Sequence, residues 1–169
     1  LLDLNHCTPE DTTRLARIHF WIGRAYYQRG EMREALGYYQ KVLPVAQQTG
    51  DEKILAIPSG AIGQVLVVQG NLDKGSALLG QAIELFKKSA RWPEWIQANS
   101  FYGAAMAGMG KYNQGLFATQ DALSKSQEFQ SFTGISVSQL CMGFVYFFVV
   151  VYGKSKEAEK RIMRALHWD

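Results

Sequence analysis

The sequence predicts an all-α fold, a solenoid of stacked antiparallel helix pairs, and three observations support this prediction. Glycines recur at intervals of 40 residues, at Gly23, Gly63, Gly103 and Gly143. Further columns of small and apolar residues recur with the same interval. Between them, apolar residues follow the 3.6-residue period of helices that are buried on one face. Self-similarity at a fixed period is typical of repeat architectures, so we expect four helix pairs.

The other repeat columns agree once three extra residues are allowed in the fourth repeat. They are Gly30, Gly70, Gly110 and Gly153; Ala35, Gly75, Gly115 and Ala158; and Val42, Ala82, Ala122 and Ala165. A glycine inside a helix costs roughly 1 kcal/mol relative to alanine. The first column therefore needs a reason, which close approach between helices supplies. The column that starts at Gly30 is expected to close the first helix of each pair in a left-handed cap.

Helix starts and stops place the elements. Thr8-Pro9-Glu10-Asp11 and Trp92-Pro93-Glu94 are typical of helix starts, and Gln48-Thr49-Gly50-Asp51 is typical of a stop followed by a start. The predicted helices span residues 9–29, 31–49, 54–69, 71–89, 94–109, 111–128, 132–152 and 154–167. They form one domain over residues 1–169, with repeats near 9–49, 50–89, 90–129 and 130–167. Pro44 is expected to kink its helix, and Pro58 fits only a helix that begins near Ile57.

Charge and cysteine content restrict the functional class. The net charge of +3 lies in the last predicted helix, because the rest of the chain has equal numbers of cations and anions. Since a nucleic-acid binder normally has a broader basic stripe, we expect no nucleic-acid partner. The distant Cys7 and Cys141 are expected to be free thiols in a reducing, cytoplasmic compartment, with a disulfide as the alternative. The chain begins without methionine and is expected to be a fragment of a larger protein.

The columns resemble the tetratricopeptide repeat (TPR) family over residues 10–167. The first pair carries the resemblance best, with Gly23, Tyr26, Ala35 and Tyr39, whereas later pairs depart from the aromatic and alanine positions. The resemblance implies a right-handed solenoid of four TPR-like pairs. The period of 40 residues exceeds the usual 34. It is similar to the helical regions of bacterial signalling ATPases, transcription activators and nucleotide cyclases.

The resemblance also implies where a partner binds. In this family the first helices line a concave groove. The matching positions here are Arg17, Phe20, Arg24 and Tyr27; Ile57, Gly60, Gln64 and Val67; Gln97, Ser100, Ala104 and Ala107; and Val137, Leu140, Phe144 and Phe147. The best contact candidates among them are Arg17, Phe20, Arg24, Tyr27, Gln64 and Gln97. Arg17 and Arg24 are either contacts for an acidic group or solvated surface charges.

The seventh predicted helix is the most apolar segment, with no charged residue from Leu140 to Tyr152. Such a helix is buried on all sides or serves as an assembly surface. For self-association the candidates are Phe144, Phe147, Phe148, Val150 and Val151. A membrane span needs about 20 apolar residues. Because Ser136, Ser138 and Gln139 shorten this run, we do not expect one.

Catalysis has no support in the sequence, because the three histidines are scattered and none has metal-ligand spacing. We therefore expect no catalytic residue, no metal and no cofactor. The leading interpretation is a protein-interaction or scaffold domain of a larger signalling or transcription regulator. Its partner would be another protein or another domain of the same chain, and a homodimer is possible through the seventh helix. The alternative is a small-ligand sensor that binds an effector between helices.

Overall fold

A computed structural model describes residues 9–48 and 52–152 of the chain. Its helices are α1 (Pro9–Gln28), α2 (Met32–Gln48), α3 (Glu52–Val68), α4 (Leu72–Lys88), α5 (Trp92–Gly108), α6 (Tyr112–Glu128) and α7 (Phe132–Tyr152). Each bound lies within two residues of its prediction, and the described residues contain no strand. The all-α solenoid is thus confirmed for three full pairs and the first helix of the fourth. The helix predicted at 154–167 lies outside the described residues.

Glycine closes the first helix of each complete pair, as predicted. Gly30, Gly70 and Gly110 have φ of 80°, 83° and 80°. After α1, the N–H of Gly30 donates to the carbonyl of Tyr27 at 3.0 Å, and the N–H of Glu31 donates to that of Tyr26 at 3.0 Å. These paired bonds form a Schellman motif, which satisfies carbonyls that the helix end leaves open.

The same motif closes α4 and α6 without glycine. Ala90 and Gln130 take the left-handed conformation there, with φ of 53° and 50°. The N–H of Arg91 donates to the carbonyl of Phe86 at 2.9 Å, which matches the bond after α1. Since a residue with a Cβ is strained in this region, these turns are formed against local preference. The repeat columns do not reveal this, because no glycine marks the two positions.

The first glycine column brings paired helices into contact in the three complete pairs. A Cβ added to Gly23 would lie 2.8 Å from the Tyr39 ring, and one added to Gly63 would lie 2.9 Å from Leu79 Cγ. At Gly103 it would meet the carbonyl oxygen of Gly115 at 2.8 Å. Close helix approach is therefore the reason for these glycines. At Gly143 no atom of the described residues lies within 4 Å of such a Cβ. Close helix approach therefore does not explain this glycine among the described residues.

The two interior prolines lie within continuous helices. α2 runs through Pro44 to its end at Gln48. α3 begins at Glu52, so the expectation that Pro58 needs a helix starting near Ile57 is wrong. A proline at position 58 gives no N–H to the carbonyl four residues earlier. Pro58 is fully buried, and packing around it holds the helix in spite of the missing bond.

α7 packs against both α5 and α6 through one narrow stripe. The buried residues of α7 are Gly134, Ser138, Cys141, Val145 and Val149. By length and composition this helix could cross a membrane, and among the described helices it alone meets that criterion. Ser136, Ser138 and Gln139 therefore do not take the helix below that criterion, because the apolar run from Leu140 to Tyr152 keeps its mean hydropathy high. The expectation that it does not span a membrane stays a prediction. Its buried stripe nevertheless continues the solenoid in the place of a first helix.

Candidate functional site

A cavity of about 540 Å³ opens on the concave side of the solenoid. Side chains of α1, α2, α3 and α5 form most of its lining, to which α4 adds Phe86 and α7 adds Thr133. We call this cavity the groove. Its lining includes the six best contact candidates from the sequence: Arg17, Phe20, Arg24, Tyr27, Gln64 and Gln97. The first helices of successive pairs therefore bring these side chains together, as the resemblance implies.

The α1 wall carries its side chains at intervals of three and four residues, which place them on one helix face. Phe20 packs against Tyr39 of α2 with ring centroids 5.6 Å apart, and this contact fixes it to the core. Trp21 meets the edge of Phe20 at 5.9 Å and is itself 60% exposed. The Arg24 guanidinium lies over the Trp21 ring, 5.5 Å from its centroid. The wall thus presents aromatic faces between basic groups.

The floor of the groove is apolar, and α3 contributes Ile57, Gly60 and Ala61 to it. A Cβ on Gly60 would lie 3.2 Å from Cε2 of Phe86, so the α4 ring reaches the groove underneath α3. The aromatic and aliphatic residues that line the groove are Phe20, Trp21, Tyr27, Tyr39, Val42, Val45, Ile57, Pro58 and Phe86. An apolar lining with a few polar groups is typical of a binding site.

The charged groups in the groove are unbalanced. Nε of Arg91 donates to Oε1 of Glu94 at 3.2 Å, and this ion pair is the one that involves a groove carboxylate. Neither Arg17 nor Arg24 is in an ion pair within the described part of the chain. Two positive charges on α1 thus have no counter-charge among the described residues.

Burial raises the pKa of two phenols in the groove above an ordinary value at which they are already neutral at physiological pH. It raises the pKa of Tyr27 to about 12, with a smaller contribution from Cys141 of α7 across the solenoid. It also raises the pKa of Tyr39 to about 12, although the positive charge of Arg24 opposes this. Both phenols are therefore uncharged at neutral pH and cannot neutralise the arginines.

Several groove residues have no signal in the repeat positions. Arg91 lies in the turn before α5, and Phe86 belongs to a second helix, so neither occupies a concave position of the family pattern. A search for cations next to helix starts could have found Arg91. Conversely, Ser100 and Ala107 occupy concave positions but are buried, at 0% and 1% exposure. Ser100 lies 3.0 Å from the Ser138 hydroxyl, because α7 packs over this part of α5.

The self-association candidates of α7 are divided by the structure. Phe144, Phe147, Val150 and Val151 are exposed by 53%, 54%, 70% and 52%. Phe148 is partly buried and packs against the core cluster around Val145, so it contributes less open surface than the other four. The helical twist explains the difference, since Phe148 lies next to the buried stripe. The described residues contain no group of three metal-ligating side chains.

Comparison with known proteins agrees with this architecture. Residues 14–88 match the tetratricopeptide repeat family model. Among solved structures, the chain is similar to the nearly identical TPR-like repeats of a protein from Podosopora anserina described as a kinesin light chain. The TM-score is 0.59 at 16% identity, over 98% of this chain and 78% of that one. At this identity the likeness shows the fold alone.

A comparison with curated protein sequences gave no match. The helix pairs, their glycine contacts and the concave groove agree with the family match and with the solved structure. Residues 14–88 therefore match the tetratricopeptide repeat family model, and the described helices as a whole have a TPR-like solenoid fold.

Proposed function

We propose that this chain is a protein-interaction domain that binds a segment or a domain of a partner in the groove. Tetratricopeptide repeats generally mediate protein–protein interaction. The observation that carries the proposal is the convergence of Arg17, Arg24, Gln64 and Gln97 around one apolar floor. The two amides can both donate and accept, so they suit the N–H and C=O groups of a bound backbone.

The parent protein would be a cytoplasmic signalling or transcription regulator. Its partner is a second protein or another domain of the same chain. The repeat period, which is similar to the helical regions of such regulators, supports this assignment. Nucleic acid is not expected to bind in the groove, which is narrow and carries two unpaired cations in place of a long basic face.

A photo-crosslinking experiment tests the use of the groove. A benzoylphenylalanine at Gln28, an exposed residue of the groove lining, is compared with one at Gln81, an exposed residue of α4 outside it. In cells that produce the parent protein, we expect a discrete adduct from position 28 and none from position 81. An adduct from position 81 alone would place the partner on the convex face and refute the proposal.

The size of the groove also favours a second candidate, a sensor of a small effector. Cavities of small-molecule sites span about 300–1,000 Å³, and the groove, at about 540 Å³, lies in that range. A ligand at about 100 times its Kd adds roughly 2.7 kcal/mol of stability. A thermal-shift screen with a broad metabolite panel should therefore show a stabilising hit if this candidate is correct. No hit would leave the protein-binding function.

We also propose that α7 is a self-association surface. Its exposed residues Phe144, Phe147, Val150 and Val151 form apolar surface that a second copy could cover. Light scattering after size exclusion should give twice 19.0 kDa for the chain at high concentration. Phe147→Glu with Val150→Glu should return the mass to that of a monomer. Phe117→Glu, at a 71% exposed residue of α6, is the matched control; a folded double variant with unchanged mass would contradict this proposal.

A further inference from the structure

Two arginines that line the groove have no carboxylate partner among the described residues. Arg17 is exposed and Arg24 is half-buried, and neither takes part in the ion pairs of the described residues. The groove carboxylate of Glu94 is already bound by Arg91. A carboxylate of a partner therefore would not have to displace a carboxylate of the described lining from Arg17 or Arg24.

The spacing of the two arginines restricts what can bind both. They lie seven residues apart on α1, which corresponds to about 10 Å along a helix that rises 1.5 Å per residue. An extended peptide in the polyproline II conformation has three residues per turn and advances about 3.1 Å per residue. Two side chains of such a peptide that are three positions apart therefore lie on the same side, separated by about the same distance as the two arginines.

The residues around the two arginines indicate which kind of peptide side chain lies between the two that bind them. Phe20 and Trp21 occupy α1 between Arg17 and Arg24, and the accessible floor at Ile57 is apolar. Stacking on Trp21 restrains the Arg24 guanidinium. A restrained guanidinium loses less freedom when it binds a carboxylate through two parallel hydrogen bonds.

We propose that the groove selects an extended peptide segment with two acidic side chains about three positions apart and an apolar side chain between or beside them. In this arrangement Arg17 and Arg24 each bind one carboxylate, and the apolar side chain covers the floor at Ile57. The inference rests on the proposed function, since it names the chemistry of the partner in that same groove. We infer an acidic peptide as the occupant because its two negative charges complement those of Arg17 and Arg24.

Selection of random twelve-residue peptides displayed on phage, against the full chain, tests this inference. The enriched sequences should carry paired Asp or Glu residues with a hydrophobic neighbour. Synthetic peptides made from them should lose about tenfold or more in affinity for Arg17→Gln/Arg24→Gln, as expected for lost charge-assisted bonds. Arg33→Gln, at an exposed residue outside the groove, should leave the affinity unchanged.

Further variants guard against a folding defect and distinguish groove binding as such from the selection of acidic peptides. Arg17→Lys/Arg24→Lys keeps both charges and should recover part of the affinity. Gln64→Trp fills the groove and should abolish binding of every groove peptide. Enriched peptides that lack acidic residues, bind both arginine variants like the unchanged chain and fail on Gln64→Trp would overturn this inference and leave groove binding intact. Peptides that still bind Gln64→Trp, or no enrichment at all, would overturn the proposed function as well.

Discussion

Replacing Gly103 with alanine tests the central packing feature of the solenoid. The new Cβ would lie 2.6 Å from Thr119 Cγ2 and 2.8 Å from the carbonyl oxygen of Gly115. The threonine methyl can rotate away, but the backbone oxygen cannot. α5 and α6 must then separate by about 0.6 Å to restore a 3.4 Å contact. Overpacking costs about 1–3 kcal/mol, and this site should lie near the upper end.

Helix propensity acts in the opposite direction, since alanine is better than glycine by about 1 kcal/mol. The net loss in the free energy of unfolding should therefore be about 1–2 kcal/mol. For a chain of this length that lowers Tm by roughly 2–8 °C. Gly37→Ala is the matched control, because a Cβ there meets nothing within 4 Å, and it should raise Tm by about 2–4 °C.

Thermal unfolding followed by circular dichroism at 222 nm, with urea titrations for the free energies, measures both variants. The reasoning predicts opposite signs for the same chemical change at two glycines. If Gly103→Ala is as stable as the unchanged chain, or gains as much as Gly37→Ala, then close helix approach is not why this glycine occupies α5.

Two further predictions concern stability. Ala90→Gly should stabilise the chain by roughly 0.5–1 kcal/mol, because it relieves a left-handed alanine at φ 53° at the cost of some chain entropy. Gly70→Ala should lose a similar amount in the same urea titration, and a destabilised Ala90→Gly would refute the argument. The free energy of unfolding should also fall as pH rises from about 9 to 12, since burial raises the pKa of Tyr27, Tyr39 and Cys141 to about 12. The folded chain keeps protons there that the unfolded chain loses; urea midpoints that stay constant from pH 8 to 11 would contradict this.

Much of the architecture could be predicted from the sequence because its signals are local. The glycine at Gly30 fixes a left-handed cap through hydrogen bonds within one turn. The column at Gly63 reports a contact within one helix pair, which the same repeat encodes. Candidates such as Arg17 and Gln97 were found because their positions in the repeat determine which side of a first helix they occupy.

What the sequence could not determine depends on contacts between distant residues. Pro58 stays inside α3 because burial by neighbouring helices outweighs its missing hydrogen bond. Ser100 leaves the groove because α7 packs over it, and this depends on how successive pairs stack. Phe86 of α4 reaches the groove because Gly60 of α3 has no side chain in front of its ring.

The sequence alone therefore determined the repeat, the helices and the side of each first helix that faces the groove, since each follows from periodicity along the chain. The tertiary structure alone decided how far the groove extends, which charges in it stay unpaired and which apolar residues of α7 stay open. These properties arise from the stacking of one helix pair on the next. That stacking is determined by contacts between different repeats, such as those of α2 with α3 and of α4 with α5, which the pattern within one repeat does not specify.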